Sequence, residues 1–219
     1  MIYDGKLWNI SCFVSGFENN AYLVTCKRTL QSLIIDTPDN PVQLLKACKN
    51  STVKMILITH NHWDHLQGLE TVLNQIKVPI TIGKSDAKKI EVRDREIIYA
   101  EDNQLLKTGD ISIRAISTPG HTPGSTCFML ASESPASVPH VFTGDTLFPG
   151  GPGKSRSHKA FLDILKSIET KLFTLPSESI VLPGHGKATT IKNSKDEFEV
   201  FRTKPVPPGL YGEVTWGEN

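Results

Sequence analysis

Short apolar runs of strand length recur along this chain, and windows of helical spacing fall between them. Leu7 to Val14, Ala21 to Cys26 and Leu33 to Asp36 read as strands. Pro41 to Lys49 reads as a helix, because proline suits a first helical turn. Met55 to Thr59 is another apolar strand. Leu66 to Ile76 then places leucine at 66, 69 and 73 with Val72 and Ile76, which is one face of a helix. Pro79 to Gly83, Ile111 to Ser117, Thr126 to Leu130, Val141 to Thr143 and Ile180 to Leu182 continue the strand series. Ala160 to Leu172 is amphipathic and helical. Many strands with a few intercalated helices predict an α/β fold of packed sheet and helix layers. From about residue 190 a charged, then Pro-rich tail is expected to wrap the surface or pack an edge.

Composition narrows the function classes. The 219 residues suit one domain over 1–219. A chain of this length buries roughly 70% of its unfolded surface and needs no disulfides. Net charge is +1, with 38% hydrophobic and 21% charged residues, so no broad field pulls it toward nucleic acid or an anionic membrane. No run of 18 apolar residues predicts a transmembrane helix. The start, Met1 to Lys6, lacks a basic and then apolar leader, so a cytoplasmic location is expected. Cys12, Cys26, Cys48 and Cys127 show no C-x-x-C spacing and read as reduced, buried thiols.

Chemistry concentrates in His60-Asn61-His62-Trp63-Asp64-His65. Three imidazoles and a carboxylate crowd the point where a buried strand ends and a helix begins. His60 and His62, two apart in extended chain, share one side. Asp64 and His65 follow the turn and can face a second centre. Three further strands run into a glycine and then a ligand-type side chain: Gly120-His121, Gly144-Asp145 and Gly184-His185. Glycine permits the positive φ that would aim the next side chain inward. Ligands on several strand ends converge at one sheet edge, a rigid way to build a metal site. His140 and His158 have no such context and are expected at the surface.

The string H-x-H-x-D-H, followed by His121, Asp145 and His185 in that order, resembles the metallo-β-lactamase superfamily from about residue 10 to residue 190. The resemblance implies a four-layer αβ/βα sandwich with the site at one edge between two sheets. It implies two divalent metal ions, zinc by default, with iron or manganese compatible with the same ligands. His60, His62 and His121 would hold one ion, Asp64, His65 and His185 the other, and Asp145 both. Asp36 matches a family position that supports the first ligand loop. An acidic bridge such as Asp145 points away from β-lactam hydrolysis and toward thioesters, lactones or phosphodiesters.

The stretch Gly144 to Lys154 is similar to the corresponding segment of glyoxalase II, in which a lysine contacts the glutathione moiety. Lys154 falls on that lysine. Arg156 and Lys187 stand where that family has tyrosines. The short bacterial glyoxalase II-like hydrolases are the better match around His185. The expected substrate is therefore a small molecule, an anionic thioester among the candidates, met by Lys154 and Arg156. Asp64 is the candidate for orienting the attacking water and taking its proton, and two dications would acidify that water. A mononuclear-iron persulfide dioxygenase, a lactonase and a non-catalytic metal-binding protein are the alternatives. Oligomeric state is left open.

Overall fold

The computed structural model describes residues 1–88, 90, 92 and 95–217. One seven-stranded sheet runs β1 (Tyr3–Asp4), β2 (Trp8–Ser15), β3 (Asn19–Cys26), β4 (Gln31–Ile35), β5 (Thr52–Ile58), β6 (Ile80–Gly83) and β7 (Ile97–Ala100), in that order. Its first four strands are antiparallel neighbours, and the pairs from β4 to β7 are parallel. The second sheet holds β8 (Leu105–Thr108), β9 (Ile111–Ser117), β10 (Thr126–Leu130) and β11 (His140–Gly144). A small hairpin of β12 (Leu147–Phe148) and β13 (Gly151–Pro152) follows. Then β14 (Ile180–Pro183) joins β11 in parallel, and β15 (Thr189–Thr190) closes the order β15-β14-β11-β10-β9-β8.

Period-two alternation decides which side chains face which layer. Leu33 and Ile35 of β4 point between the sheets, where they meet Leu57, Phe128, Phe142 and Leu182. Ile34, between them, points outward into α1 (Val42–Cys48) and the short helices α2 (Trp63–Leu66), α3 (Leu69–Gln75) and α4 (Lys84–Ala87). A strand buried on both faces reads as a continuous apolar run, as Leu33-Ile34-Ile35 does. On the far side, Ile116, Cys127, Val141 and Val181 pack under α5 (His158–Ser167), a π-helical turn (Ile168–Leu172) and α6 (Ile191–Arg202). The layers are thus helix, sheet, sheet, helix, the αβ/βα sandwich.

Several expectations need correction. The helix expected over Leu66 to Ile76 is split between α2 and α3. The Asp36–Pro38 turn takes the place of the helical bonds: Thr37 N donates to His65 O and Gly68 N to Thr37 O. A Cβ on Gly68 would lie 2.3 Å from the Pro38 carbonyl oxygen. The region beyond 190 is not a plain tail. α6 starts there, with the Thr190 hydroxyl accepting from Asn193 N, and Trp216 is buried in the outer core. His140, expected at the surface, is buried, because it opens β11 and lies under the Tyr3 ring, with centroids 4.5 Å apart. His158 is half-buried, its Nδ1 donating to Leu210 O. All four cysteines are free thiols, three of them buried and Cys12 half-buried. Among the described residues, no helix is long and apolar enough to cross a membrane.

Candidate metal centre

Every expected ligand position lies at one edge of the sandwich, where strands run out. β5 delivers His60 and the loop through His65, β9 the loop to His121, β11 Asp145 and β14 His185. The seven side chains form two groups with ligand atoms within 4.8 Å of one another: His60, His62, His121 and Asp145, and Asp64, His65 and His185. Asp145 touches both. Its Oδ2 lies 3.4 Å from His121 Nε2 and 3.6 Å from His185 Nε2, and its Oδ1 lies 3.4 Å from His65 Nε2. The glycines before these residues serve two different needs. Gly120 and Gly144 have φ of +148° and +48°. Gly184 instead needs room, since its Cβ would sit 2.4 Å from Asp145 Oδ1.

The imidazoles are oriented from behind. His65 Nδ1 donates to Asp36 Oδ2 (3.0 Å), His121 Nδ1 to Lys154 O (2.8 Å) and His185 Nδ1 to Phe17 O (2.9 Å). Asp36 also accepts from Thr59 N and from the Thr59 hydroxyl at 2.8 and 2.7 Å. That hydroxyl, its hydrogen committed to Asp36, accepts from His60 Nδ1 at 3.0 Å. Four rings therefore keep a proton on Nδ1 and turn Nε2 inward. This is the tautomer a metal ligand needs, fixed by the group behind it. His62 differs. Arg156 Nη2 donates to its Nε2 (3.1 Å), so its proton sits on Nδ1, 2.8 Å from His121 Nε2.

The donor set fits divalent cations. Buried His60 Nε2 and Asp145 Oδ1 have no hydrogen-bond partner. His65 Nε2 and His185 Nε2 face each other at 3.2 Å, so a proton or a cation must sit between them. Burial drives the His60 pKa well below its usual range. Burial, with His121 and Arg156 adding, pushes His62 down to about 4. Burial also lowers His121, against the pull of Asp145. His65 runs the other way. Burial opposes its charge, but the Asp145 carboxylate 3.4 Å from Nε2 and the hydrogen bond to Asp36 outweigh it and raise the ring to about 10. Burial would raise the Asp145 carboxyl, yet the His65 ring 3.4 Å away and the other surrounding imidazoles hold it well below the ordinary carboxylate range. Uncharged His60, His62 and His121 beside an ionised Asp145 are ligand states that zinc requires, and His65 would shed its second proton on binding a cation.

The chain belongs to the metallo-beta-lactamase superfamily. The profile of that superfamily matches residues 14–185. A probable hydroxyacylglutathione hydrolase of Schizosaccharomyces pombe is 31% identical over 192 residues, covering 85% of this chain and 70% of that protein. A probable polyketide biosynthesis zinc-dependent hydrolase of Bacillus velezensis is 31% identical and covers 96% of this chain and 99% of its own length. A metallo-beta-lactamase structure from Staphylococcus aureus superposes with a TM-score of 0.77 at 23% identity, over 94% of this chain and 69% of that one. Hydrolysis is the activity class that the superfamily and these relatives support.

Three polar residues of the site escape a sequence reading. Thr59 relays Asp36 to His60. Asn19 Nδ2 donates to Asp64 Oδ2 at 3.0 Å. Asp86, fully buried, accepts from Asn61 N (3.0 Å), Thr122 Oγ1 (2.6 Å) and Gly124 N (2.8 Å), and so ties the first ligand loop to the His121 loop. Thr59 at least adjoins the motif, whereas Asn19 and Asp86 have no sequence pattern around them. Lys154 and Arg156 lie on the loop after β13. Arg156 reaches the centre directly, while Lys154 Nζ lies 3.4 Å from Glu213 Oε1 at the exposed rim.

Proposed function

We propose that this protein is a two-metal hydrolase of a thioester or small ester, one carrying an anionic group. The observation that carries the reading is the set of rings tied at Nδ1 with Nε2 turned inward around a shared, ionised Asp145. His60, His62 and His121 would hold one divalent ion, with His62 moving its proton off the inward Nδ1 as Arg156 leaves its Nε2. Asp64, His65 and His185 would hold the other, with Asp145 common to both. Zinc suits the His/Asp set, and iron or manganese would also be accepted. When bound, such ions supply a water acidified to near-neutral pKa and polarise a carbonyl oxygen.

The chain's own residues supply the rest. Asn19 fixes the Asp64 carboxylate, which orients the attacking water and receives its proton. Arg156 and Lys154 bind the substrate's anionic group at the mouth. A thiolate leaves without needing a proton donor, which suits a centre whose imidazoles are engaged as ligands. The name of the Schizosaccharomyces pombe relative supports a thioester substrate for that protein, and the cationic loop here is in keeping with it. The test is a panel of thioesters, lactones, β-lactams and phosphodiesters, run on metal-quantified protein with dioxygen uptake monitored against a persulfide. Fastest turnover of an anionic thioester is expected. A preference for β-lactams or phosphodiesters, or oxygen consumption, would overturn the substrate class.

A further inference from the structure

The loop that lines the mouth is held by a distant part of the chain. Ser155 N donates to Gly212 O at 3.0 Å, and Gly212 N returns to Ser155 O at 3.1 Å. Gly212 N also reaches Ser155 Oγ at 3.1 Å. These bonds form an isolated antiparallel bridge. Two more contacts flank it. Trp216 N donates to Gly150 O at 2.7 Å, and His158 Nδ1 donates to Leu210 O at 2.8 Å. Trp216 is the anchor, with its ring 5.0 Å from Phe198 and 6.1 Å from Phe173.

The clamped residues are those that matter for the site. Ser155 is buried, and in extended chain its neighbours Lys154 and Arg156 share the opposite side. The Lys154 carbonyl is the acceptor that orients His121. Gly153, one residue earlier, lies so close to the Asp145 backbone that a Cβ would fall 1.8 Å from its carbonyl oxygen. One four-residue stretch therefore touches Asp145, sets His121 and presents both cationic side chains.

We infer that the segment from Leu210 to Trp216 is a positioning strap. Through Ser155 it sets both the cationic mouth and the His121 ring, so it controls metal retention and selectivity for anionic substrates together. Gly212 and Trp216 are positioning residues. The substrate half of this inference rests on the proposed thioester reading, while the metal half does not.

The test uses the full chain. Gly212→Pro deletes the N–H that reaches Ser155. It does so at φ +97°, which proline cannot adopt, and with no atom near a new Cβ. Trp216→Ala removes the anchor. Trp216→Phe keeps a ring in the cluster and discards an indole N–H that has no partner. Zinc affinity is measured by chelator competition without substrate, and KM and kcat are measured for an anionic thioester and a neutral ester. Gly212→Pro and Trp216→Ala should weaken zinc binding about tenfold, as loss of support behind a ligand does. They should raise KM for the anionic substrate about fivefold, the range of a lost exposed ion pair, with KM for the neutral ester near wild type. Trp216→Phe should match wild type. If Trp216→Ala fails to fold, Gly212→Pro, outside the core, decides. Unchanged zinc affinity in a folded Gly212→Pro protein, or equal KM effects on charged and neutral substrates, overturns the strap. A wild-type protein inert to thioesters would sink the substrate reading and leave the zinc arm standing.

Discussion

Asp36→Asn isolates the tautomer mechanism, because it changes a charge and a donor pattern without changing size. Asp36 Oδ1 accepts from Thr59 N at 2.8 Å, so the oxygen of the new amide must stay there, or two donors would face each other. The amide NH2 then falls at the position of Oδ2, against the Thr59 hydroxyl (2.7 Å) and His65 Nδ1 (3.0 Å). His65 must accept there, which sends its proton to Nε2, the atom facing Asp145 and His185. The Thr59 hydroxyl must also accept, which turns its hydrogen toward His60 Nδ1 and sends that ring's proton to Nε2. One substitution thus spoils a ligand in each group. A lost orienting partner costs about 10–100-fold in metal affinity, or about 1.4–2.7 kcal/mol per site. Chelator competition at neutral pH measures this directly. The expected result is weakening at both sites with a folded apo protein, since the amide keeps contact with Thr59. Wild-type affinity at both sites in the Asp36→Asn protein would refute the relay.

Asp145→Ala should lower metal content and abolish turnover together while the apo chain stays folded, and a variant keeping two metals and near-normal hydrolysis would rule out its shared role. Gly184→Ala places a Cβ 2.4 Å from Asp145 Oδ1 and 2.6 Å from His65 Cε1, so metal content should fall with little change in far-UV circular dichroism; full metal loading would contradict the packing. Lys154→Ala should raise KM for an anionic thioester more than it lowers kcat, because such binding is uniform between ground and transition states; equal effects on a neutral ester would make the loop a mere cover. His140 is held near pKa 4 by burial, against the field of Glu133. Between pH 6.5 and 4 the unfolded chain takes up this proton and the folded chain does not, so stability present above pH 6.5 falls with pH, by at most about 3 kcal/mol. Urea unfolding of His140→Gln should lose that slope, and an unchanged slope would refute it.

What the sequence disclosed follows from how local each signal is. Ile111 to Ser117 and Thr126 to Leu130 match β9 and β10 end to end, because turn residues bound both apolar runs. The seven candidate ligand positions were legible because they follow four strand ends, four of them in one dense His/Asp cluster. Asp86 was not, since its three donors come from Asn61, Thr122 and Gly124, and only folding brings those together. α6 was hidden by its composition: Ile191, Ser194 and Phe198 are its buried positions, and charged residues outnumber apolar ones along it. Trp216 gave no sign of being an anchor, because its cluster of Phe173, Phe198 and Phe201 is assembled from separate elements. The Leu66 to Ile76 period is real, but the Asp36–Pro38 turn competes for the same backbone groups and wins at Gly68.

Metal stoichiometry tests the central claim most directly. Asp145 contacts both groups of candidate ligands, and a single tetrahedral ion cannot use seven side chains. Elemental analysis of protein loaded to saturation with zinc and freed of loosely held ions should give two metals per chain. One metal per chain at saturation would contradict the two-metal account.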